Sequence, residues 1–446
     1  MKERKAFDGL PGTGNAWRFT LADTLRNKMG YQSSLADPDV WYKSQTKTNG
    51  DKYNSYILVY TDDLLCIHEN PTGIINILKE KYPIKPDSIG PPSIYLGANI
   101  QKIDSKSDGV ECWGFSAERY VKEAVRNVKE RMKKDGFIFN KKLSDKNYSP
   151  QSPFSNAKYR LELDSTHECT YEQANYFQSL IGVLRWIIEL GRIDIHFEVS
   201  VLSQYLVNPR VGHLIQALHI FKYLDIHKEN FLAFDPTYLD MGTPSNQKES
   251  PEAKALFMKE YYPDADEKIP PNAPPPLGKP VQINCFADAD HAGNVVTRRS
   301  HTGILIFLNM APIWWYSKRQ NNVESSTFSS EFIALKTACE QVVSLRYKLR
   351  MFGIPLTGPA NIFCDNEAVY RNTSDPASTL KKRHQSVAYH LCRETVASGV
   401  ALIFKESGET NLSDILTKST HSKERRKFLR SCIMRDIKVK VDHPNR

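Results

Sequence analysis

Acidic residues that stand where strands end constrain this chain more than any other feature. From Val281 to Ala287 apolar side chains alternate with others, which predicts a half-buried strand that closes on Asp288. Two continuous apolar runs, 303–308 and 313–316, predict two further strands. The chain therefore contains a small sheet whose first strand ends in a carboxylate.

A helix follows this sheet and carries a second acid on its apolar face. From Thr327 the apolar spacing changes to steps of three and four residues, and Glu331 lies within the resulting stripe. A carboxylate on the core-facing side of a helix is costly unless something uses it. Two more acids fit the pattern, because Asp365 ends a short strand and Asp414 stands three residues after a candidate helix cap at Asn411.

These four acids predict a metal site if the fold brings them together. The sequence offers no local cation to neutralise them, so divalent metal is the expected counter-charge. Carboxylates suit Mg²⁺ or Mn²⁺, and two such ions about 3.5 to 4 Å apart can clamp the attacking and leaving oxygens of a phosphodiester. Taken singly, each acid also has an ordinary explanation, since Asp residues form turns at strand ends and acids stabilise the first turn of a helix.

Six short motifs surround these acids. They are, in order, FADADHAG, RRSHTGILIFL, WYSKRQ, SSTFSSEFIAL, FCDNEAV and LSDILTK. Together they resemble the ribonuclease H domain of copia-type LTR retrotransposon polyproteins, over about residues 281–420. The resemblance implies an α/β ribonuclease H-like fold with a five-stranded mixed sheet. It departs at Ser329, where the family usually has a second Glu.

The same resemblance implies the site and the substrate. Two Mg²⁺ or Mn²⁺ ions would lie in a catalytic site that hydrolyses the RNA strand of an RNA–DNA hybrid. Its implied metal ligands are Asp288, Glu331, Asp365 and Asp414. The expected nucleic-acid contacts are Lys318, Arg319, Gln320, Lys382, Arg383 and His384. A role of His384 as an ordinary surface residue stays open.

Two adjacent acids near the N-terminus lie on the bend of a predicted hydrophobic hairpin. Asp62 and Asp63 separate the apolar runs 56–60 and 64–67, a pattern that ordinary turn chemistry also explains. Around them stand the motifs AFDGLPGTGNAW, ADPDVWYK, YILVYTDDLLCI and IYLGANI. These resemble the later part of a copia-type reverse transcriptase, whose YxDD motif would make Asp62 and Asp63 catalytic acids that hold magnesium.

The polymerase resemblance is incomplete. Asp8 and Gly12 replace the usual Tyr and Gln, and the upstream segment that carries the other catalytic Asp of the palm is not in this sequence. We therefore expect the C-terminal fragment of a larger polyprotein, with an incomplete site for RNA-directed DNA synthesis.

Periodicity and composition divide the chain into five predicted segments. Residues 1–115 are expected to be a partial α+β polymerase palm, and 116–240 a helical thumb and connection that motifs such as YFQSLIGVLRWI resemble. Five prolines clustered within 270–276 mark 241–280 as a stiff linker, which predicts that the nuclease at 281–420 is a separable unit. Residues 421–446 read as a basic tail.

Charge and cysteine usage narrow the class of protein. The net charge is +9, and its excess within 119–146 and 419–446 favours a phosphate backbone, although solvated helix faces explain it equally well. Eight cysteines without CxxC pairing indicate neither a zinc site nor a disulfide framework, as in a reducing intracellular setting. No apolar stretch approaches membrane-spanning length. We expect a cytoplasmic protein, in virus-like particles by the resemblance, with nuclear entry left open.

The sequence thus predicts a ribonuclease H that acts on RNA–DNA hybrids. Further candidate partners are a single-stranded template and the upstream part of the same polyprotein, and no membrane partner is expected. The alternative is a catalytically inert retrotransposon relic that only binds nucleic acid.

Overall fold

The described residues fold into two units whose segments interleave along the chain. The computed structural model describes residues 13–61, 63–104, 110–134, 150–155, 159–239, 250–419 and 422–436. The first unit comprises Met1–Pro92, Lys268–Val281 and Val343–Thr357, and the second comprises Ser93–Glu267, Gln282–Val342 and Gly358–Arg446. None of the helices in this described part combines the length and apolarity that a membrane span requires.

A four-stranded antiparallel sheet forms the centre of the first unit. Its strands lie in sequence order and are β1 (Gln32–Ser33), β2 (Val40–Thr46), β3 (Lys52–Tyr60) and β4 (Asp63–Ile67). The helices are α1 (Thr13–Asp23), which continues into a π-helical turn at Thr24–Lys28, and α2 (Pro71–Lys81). Ile57 and Val59 of β3 are buried and pack in one core with Leu25, Ile74 and Leu78 from the helical segments.

Strands β3 and β4 form the predicted hairpin. Tyr60 pairs with Asp63, so the turn is short, and Thr61 has a φ of 55°. Tight hairpin turns often need a positive φ because this conformation matches the twist of the strands. Asp63 is exposed at the start of β4, and Asp62 lies outside the described residues.

The second unit contains an antiparallel sheet and a group of helices in its N-terminal half. The strands lie in the order β14, β8, β7, β6, β5. They are β5 (Ile94–Tyr95), β6 (Ala98–Asp104), β7 (Glu111–Ser116), β8 (Asn230–Phe234) and β14 (Arg435–Asp436). The helices are α3 (Glu118–Lys134), α4 (Tyr171–Glu189), α5 (His196–Leu202) and α6 (Val211–Ile226). Their apolar stripes share one core, which includes Val121, Leu184 and Leu214.

The second sheet of this unit has five strands and is mixed, as expected. The order is β11, β10, β9, β12, β13, with β9, β10 and β11 antiparallel and β9, β12 and β13 parallel. The strands are β9 (Ile283–Asp290), β10 (His301–Leu308), β11 (Ala311–Arg319), β12 (Ala360–Cys364) and β13 (Ala401–Lys405). Phe286 of the central strand stacks on Phe363 with ring centroids 4.9 Å apart, which joins the antiparallel and parallel halves.

Helices complete this part of the unit. They are α7 (Pro251–Tyr261), α8 (Thr327–Met351), α9 (Glu367–Ser374), α10 (Ser386–Ala397) and α11 (Lys423–Ile433), together with a 3₁₀ turn at Leu412–Leu416. The last residues of α8, from Val343 onward, are assigned to the first unit. The 3₁₀ turn contributes Leu412 and Leu416, and α11 contributes Leu429, to the core around Phe286.

Two segments differ from the sequence-based expectation. Within the predicted linker 241–280 lies helix α7, which Ser250 caps by accepting a hydrogen bond from the backbone N–H of Ala253 at 3.1 Å. Within the predicted tail 421–446 lies α11, whose Arg426 is buried. Tertiary packing holds both helices, through the buried Met258 of α7 and the buried Arg426, Leu429 and Ile433 of α11. Residues 240–249 and 437–446 lie outside the described residues.

The chain passes from the first unit to the second between Val281 and Gln282, but the second unit also contains the region predicted as thumb and connection. Ile193 and Leu232, from the region predicted as thumb and connection, lie in the same core cluster as Phe286. Helices α4 to α6 and the mixed sheet belong to one unit, and a separable nuclease at 281–420 stays a prediction. The assignments as palm, thumb and connection stay predictions.

A buried ion network holds α11 against the helical region. The guanidinium of Arg426 donates to Oε1 of Glu198 at 3.0 and 3.2 Å and to the carbonyl of Asp194 at 2.7 Å. The Asp194 carboxylate in turn accepts from Arg192 at 2.8 and 2.9 Å and from the Tyr223 hydroxyl at 2.8 Å. Burial raises the pKa of Glu198 to about 7, against the opposing effect of Arg426.

Replacing Arg426 by Ala is expected to lower the free energy of unfolding by about 3 kcal/mol, because Glu198 would remain buried without its partner. The exposed neighbour Lys427 offers a matched control, and Lys427→Ala should change stability by less than about 0.5 kcal/mol. Urea unfolding measures both values. The double variant Arg426→Met, Glu198→Gln should recover part of the loss, and no recovery would show that the ion pair is not its cause.

Candidate metal centre

Two parallel strands bring two acids to the same edge of the mixed sheet. Strand β9 pairs with β12 in a register that sets Ala287 opposite Cys364. The next residues along the two strands are Asp288 and Asp365, so they stand side by side. Asp288 is buried, and Asp365 is half-buried where β12 ends.

The first turns of α8 bring a third acid to this edge. Glu331 is buried, with an exposed fraction of 6%. Asp288, Glu331 and Asp365 each offer a carboxylate oxygen, and these three oxygens lie within 4.8 Å of one another. The structure thus brings together three of the four acids that the sequence singled out, and we call them the acidic cluster.

The fourth acid lies in the 3₁₀ turn that closes over the same sheet. Asn411 precedes this turn as predicted, and its side-chain oxygen accepts from the N–H of Ser413 at 3.2 Å. Its amide also donates to the carbonyl of Ala287 at 3.0 Å, which anchors the turn beside Asp288. Asp414 is buried in this turn, but it does not belong to the acidic cluster.

A glycine allows the turn to approach the sheet closely. Gly303 of β10 pairs with Asp288, and a Cβ atom at this position would lie 2.6 Å from a methyl group of Thr417 and 2.9 Å from the carbonyl of Ser413. Only a residue without a side chain fits this contact. The hydroxyl of Thr417 consequently reaches the Asp288 carboxylate and donates a hydrogen bond to it.

The expectation that no local cation neutralises the acids is wrong. The ammonium of Lys418 forms an ion pair with Oδ1 of Asp414, and the guanidinium of Arg425 lies 3.2 Å from Oδ2. Lys418 also lies close enough to stabilise the charged forms of Asp288 and Asp365. Arg425 could not be predicted from the sequence as a partner of Asp414, because it approaches Asp414 only through the docking of α11.

Burial dominates the electrostatics of the acidic cluster. Burial, with a smaller contribution from the nearby carboxylates of Asp365 and Asp414, raises the pKa of Asp288 to about 7 against the opposing effect of Lys418. Burial, followed by the charges of Asp288 and Asp365, also raises the pKa of Glu331 well above its ordinary value. Although burial alone would lower it, the neighbouring carboxylates raise the pKa of Lys418. The cluster therefore holds protons that a cation could replace.

This set of donors fits a hard divalent ion. Three carboxylate oxygens from three rigid elements converge, and such ligands suit Mg²⁺ or Mn²⁺ better than softer metals. The residues that could hold such an ion are Asp288, Glu331 and Asp365. Asp414 could join them only by giving up an ion pair.

The predicted nucleic-acid contacts fall into different environments. Lys318 and Arg383 are exposed. Lys382 donates to the Ser326 hydroxyl and lies 5.4 Å from the ring centroid of Phe328, so a local contact already engages it. Arg319 is half-buried, and exposed His384 lies 3.9 Å from Glu324.

Gln320, which we expected to contact nucleic acid, lies inside the protein. It is buried, and its amide nitrogen donates to the Thr302 hydroxyl at 3.0 Å and to the carbonyl of Ser330 at 2.9 Å. Gln320 thus joins β10 to the start of α8, a structural role that positions Glu331. The two acids of the hairpin do not belong to this site, since Asp63 is an exposed residue of the first unit and Asp62 is not described.

Thr417 and Lys418 are the site residues that sequence reasoning missed. Both stand in the motif LSDILTK, three and four residues after Asp414. Residues at these spacings share one face of a helical turn, which was the available signal. Their polar side chains read as ordinary surface residues without the sheet that they approach.

Comparisons with known proteins agree with a Pol polyprotein. No protein-family profile matches the chain. It is similar to the retrovirus-related Pol polyprotein from transposon RE1 of Arabidopsis thaliana, with 24% identity over 420 residues that cover 94% of this chain and 24% of that protein. The polyprotein from transposon TNT 1-94 of Nicotiana tabacum is 23% identical over 425 residues, covering 94% of this chain and 27% of that protein. The chain thus spans about a quarter of the length of these relatives.

A shorter relative and a solved structure are also similar to parts of the chain. Secreted RxLR effector protein 161 of Plasmopara viticola is 40% identical over 174 residues, which are 39% of this chain and 94% of that protein. The crystal structure of LC11-RNase H1 in complex with RNA/DNA hybrid covers 30% of this chain and 94% of its own, with 15% identity and a TM-score of 0.26.

Replacing Asp288 by Asn is expected to stabilise the protein in the absence of metal. Because the pKa of Asp288 is raised from 3.8 to about 7 on folding, the folded state binds the extra proton and stability falls as the pH rises between these values. The free energy of unfolding of the variant should exceed that of the wild type by about 1 to 2 kcal/mol at about pH 8 and should be almost the same at about pH 4. Urea unfolding in the presence of a chelator measures both.

The exposed residue Asp63 provides the control for this experiment. Asp63→Asn should leave the free energy of unfolding unchanged within about 0.5 kcal/mol at both pH values. A loss of stability in Asp288→Asn at the higher pH would contradict the argument that burial and neighbouring carboxylates disfavour the charged form of Asp288.

Proposed function

Because the chain belongs to the family of copia-type retrotransposon Pol polyproteins, we propose that its second unit is a ribonuclease H that hydrolyses the RNA strand of RNA–DNA hybrids. The observation that carries the proposal is the convergence of Asp288, Glu331 and Asp365 within 4.8 Å at one edge of a five-stranded mixed sheet. The order of the acids along the chain, and the motifs around them, support the same activity.

The acidic cluster would hold Mg²⁺ or Mn²⁺ in this activity. Divalent ions in such a site stabilise charge on the attacking and leaving oxygens of a phosphodiester. The carboxylates would bind them by losing protons, so metal affinity should rise with pH as the raised pKa values of Asp288 and Glu331 are passed.

The protein's own groups would orient the site. Thr417 fixes one carboxylate oxygen of Asp288 by a hydrogen bond, and Gln320 ties the start of α8 to β10 so that Glu331 keeps its position. Hydrolysis adds water across one ester bond of the RNA backbone and yields a phosphate monoester and a hydroxyl. Preorganised, partly buried carboxylates favour such a reaction because they do not have to reorganise as charge develops.

Nucleic acid is the substrate class that the charges support. The exposed cations Lys318 and Arg383 lie in the same unit as the acidic cluster and suit a phosphate backbone. We propose that an RNA–DNA hybrid is recognised by its backbone shape and 2′-hydroxyls rather than by its base sequence.

We propose further that the first unit is a palm remnant that does not polymerise on its own. Asp63 is exposed on the β3–β4 hairpin, and a polymerase site needs another acid from a neighbouring strand. The inert relic is the second candidate, and the ion pairs of Asp414 favour it, since they keep one family acid from the cluster.

Cleavage of a hybrid with labelled RNA tests the proposal. The wild-type protein should cut the RNA strand in the presence of Mg²⁺, and Asp288→Asn should slow cutting by about a hundredfold or more, because a metal-binding carboxylate is lost. Asp63→Asn is the matched control and should retain full cleavage. Primer extension should be undetectable with all three proteins.

Two outcomes would overturn the assignment. Equal loss of cleavage in both variants would contradict a nuclease site in the second unit. Binding of the hybrid without any cleavage by the wild type would favour the inert relic.

A further inference from the structure

We propose that the Lys418 ammonium holds Asp414 out of metal binding, so that the free protein takes up one divalent ion at Asp288, Glu331 and Asp365 instead of two. The proposal rests on the proposed function, since it concerns metal at that site. It assigns to Lys418 a role as a resident cation that competes with metal. Lys418 is thus a positioning residue that sets the number of bound ions.

The first support for this role of Lys418 comes from the contacts of Asp414. Both of its carboxylate oxygens are engaged, one by Lys418 and the other by Arg425 at 3.2 Å. The side chain of Asp414 is only 8% exposed, so it has little freedom to turn toward another partner while these pairs persist. In the described residues, the group of acids that can share a metal consists of the other three.

The net charge of the site also favours the binding of one divalent ion. Asp288, Glu331, Asp365 and Asp414 carry four negative charges when ionised, and Lys418 with Arg425 supplies two positive charges. One divalent ion would therefore neutralise the site. A second ion would bring an excess of two positive charges into a partly buried region, which is costly at low effective dielectric constant.

Lys418 differs from Arg425 in its ability to leave. The side chain of Lys418 is 51% exposed, whereas that of Arg425 is 19% exposed. A lysine ammonium on a flexible stem can move into water at small cost, while a planar guanidinium held by several partners cannot. Arg425 also donates to the carbonyl of Gly408 at 2.9 Å, which fixes it further. Lys418 is thus the cation whose removal should open the site.

Metal binding measured by calorimetry tests the proposal. Titration of the full chain with Mn²⁺ at about pH 8 should give one ion per chain for the wild type. Lys418→Met should bind a second ion, because a positive charge near the site is removed and Asp414 is released. One ion bound more tightly, without a second, would contradict the role of Lys418 in setting the number of ions. Lys418→Arg keeps the charge and should behave as the wild type.

Lys423→Met is the matched control, because Lys423 is an exposed cation at the start of α11. It should leave the number of ions and their affinity unchanged. Thermal unfolding in the presence of chelator checks that each variant is folded.

The outcomes separate this proposal from the proposed function. Two ions in the wild type, or identical binding by the wild type and Lys418→Met, would overturn the role of Lys418. Unchanged Mn²⁺ binding in Asp288→Asn would instead place the metal elsewhere and overturn the site itself.

Discussion

The parallel pairing of β9 with β12 is the constraint on which the acidic cluster depends. Its register sets Ala287 opposite Cys364, so the acids that follow these residues meet at one edge of the sheet. Apart from Asn284 and the half-buried Asn361, the two strands are apolar and buried up to that point, and the carboxylates follow where the pairing ends. Phe286 stacked on Phe363 holds the same register from within the core. Glu331 then has to reach only the sheet edge from the first turns of α8.

The C-terminal helix α11 completes the site from the other side. Adjacent residues of this helix serve two purposes, since Arg425 contacts Asp414 and Arg426 enters the buried network with Glu198 and Asp194. Docking of α11 against the helical region therefore also fixes the environment of the 3₁₀ turn. This arrangement explains why the mixed sheet and helices α4 to α6 form a single unit, although a proline-rich segment precedes the sheet in sequence.

The buried acids of the cluster are unfavourable for folding and useful for binding a cation. Burial is the largest cause that raises the pKa values of Asp288, Glu331 and Asp365, and neighbouring carboxylates add to it, so the charged forms of these acids are disfavoured in the folded protein. A divalent ion that binds these carboxylates has to displace any proton bound to them, and it relieves the repulsion between the charges that remain. The ammonium of Lys418 offsets part of the repulsion between these carboxylates. We therefore regard the Lys418 ammonium and a divalent metal ion as alternative counter-charges for the site.

The mixed sheet was expected from the resemblance to ribonuclease H domains. Local patterns in the sequence determined the β3–β4 hairpin and the positions of Asp288, Glu331 and Asp365 at a strand end, in a helix stripe and at a second strand end. These features follow from hydrophobic period and turn chemistry, which act over a few residues. Only the tertiary structure decided that Asp414 is paired with Lys418 and Arg425, that Gln320 is buried, and that α7 and α11 are packed helices. Those outcomes depend on contacts between residues far apart in the chain, and no local pattern encodes which distant side chain will arrive.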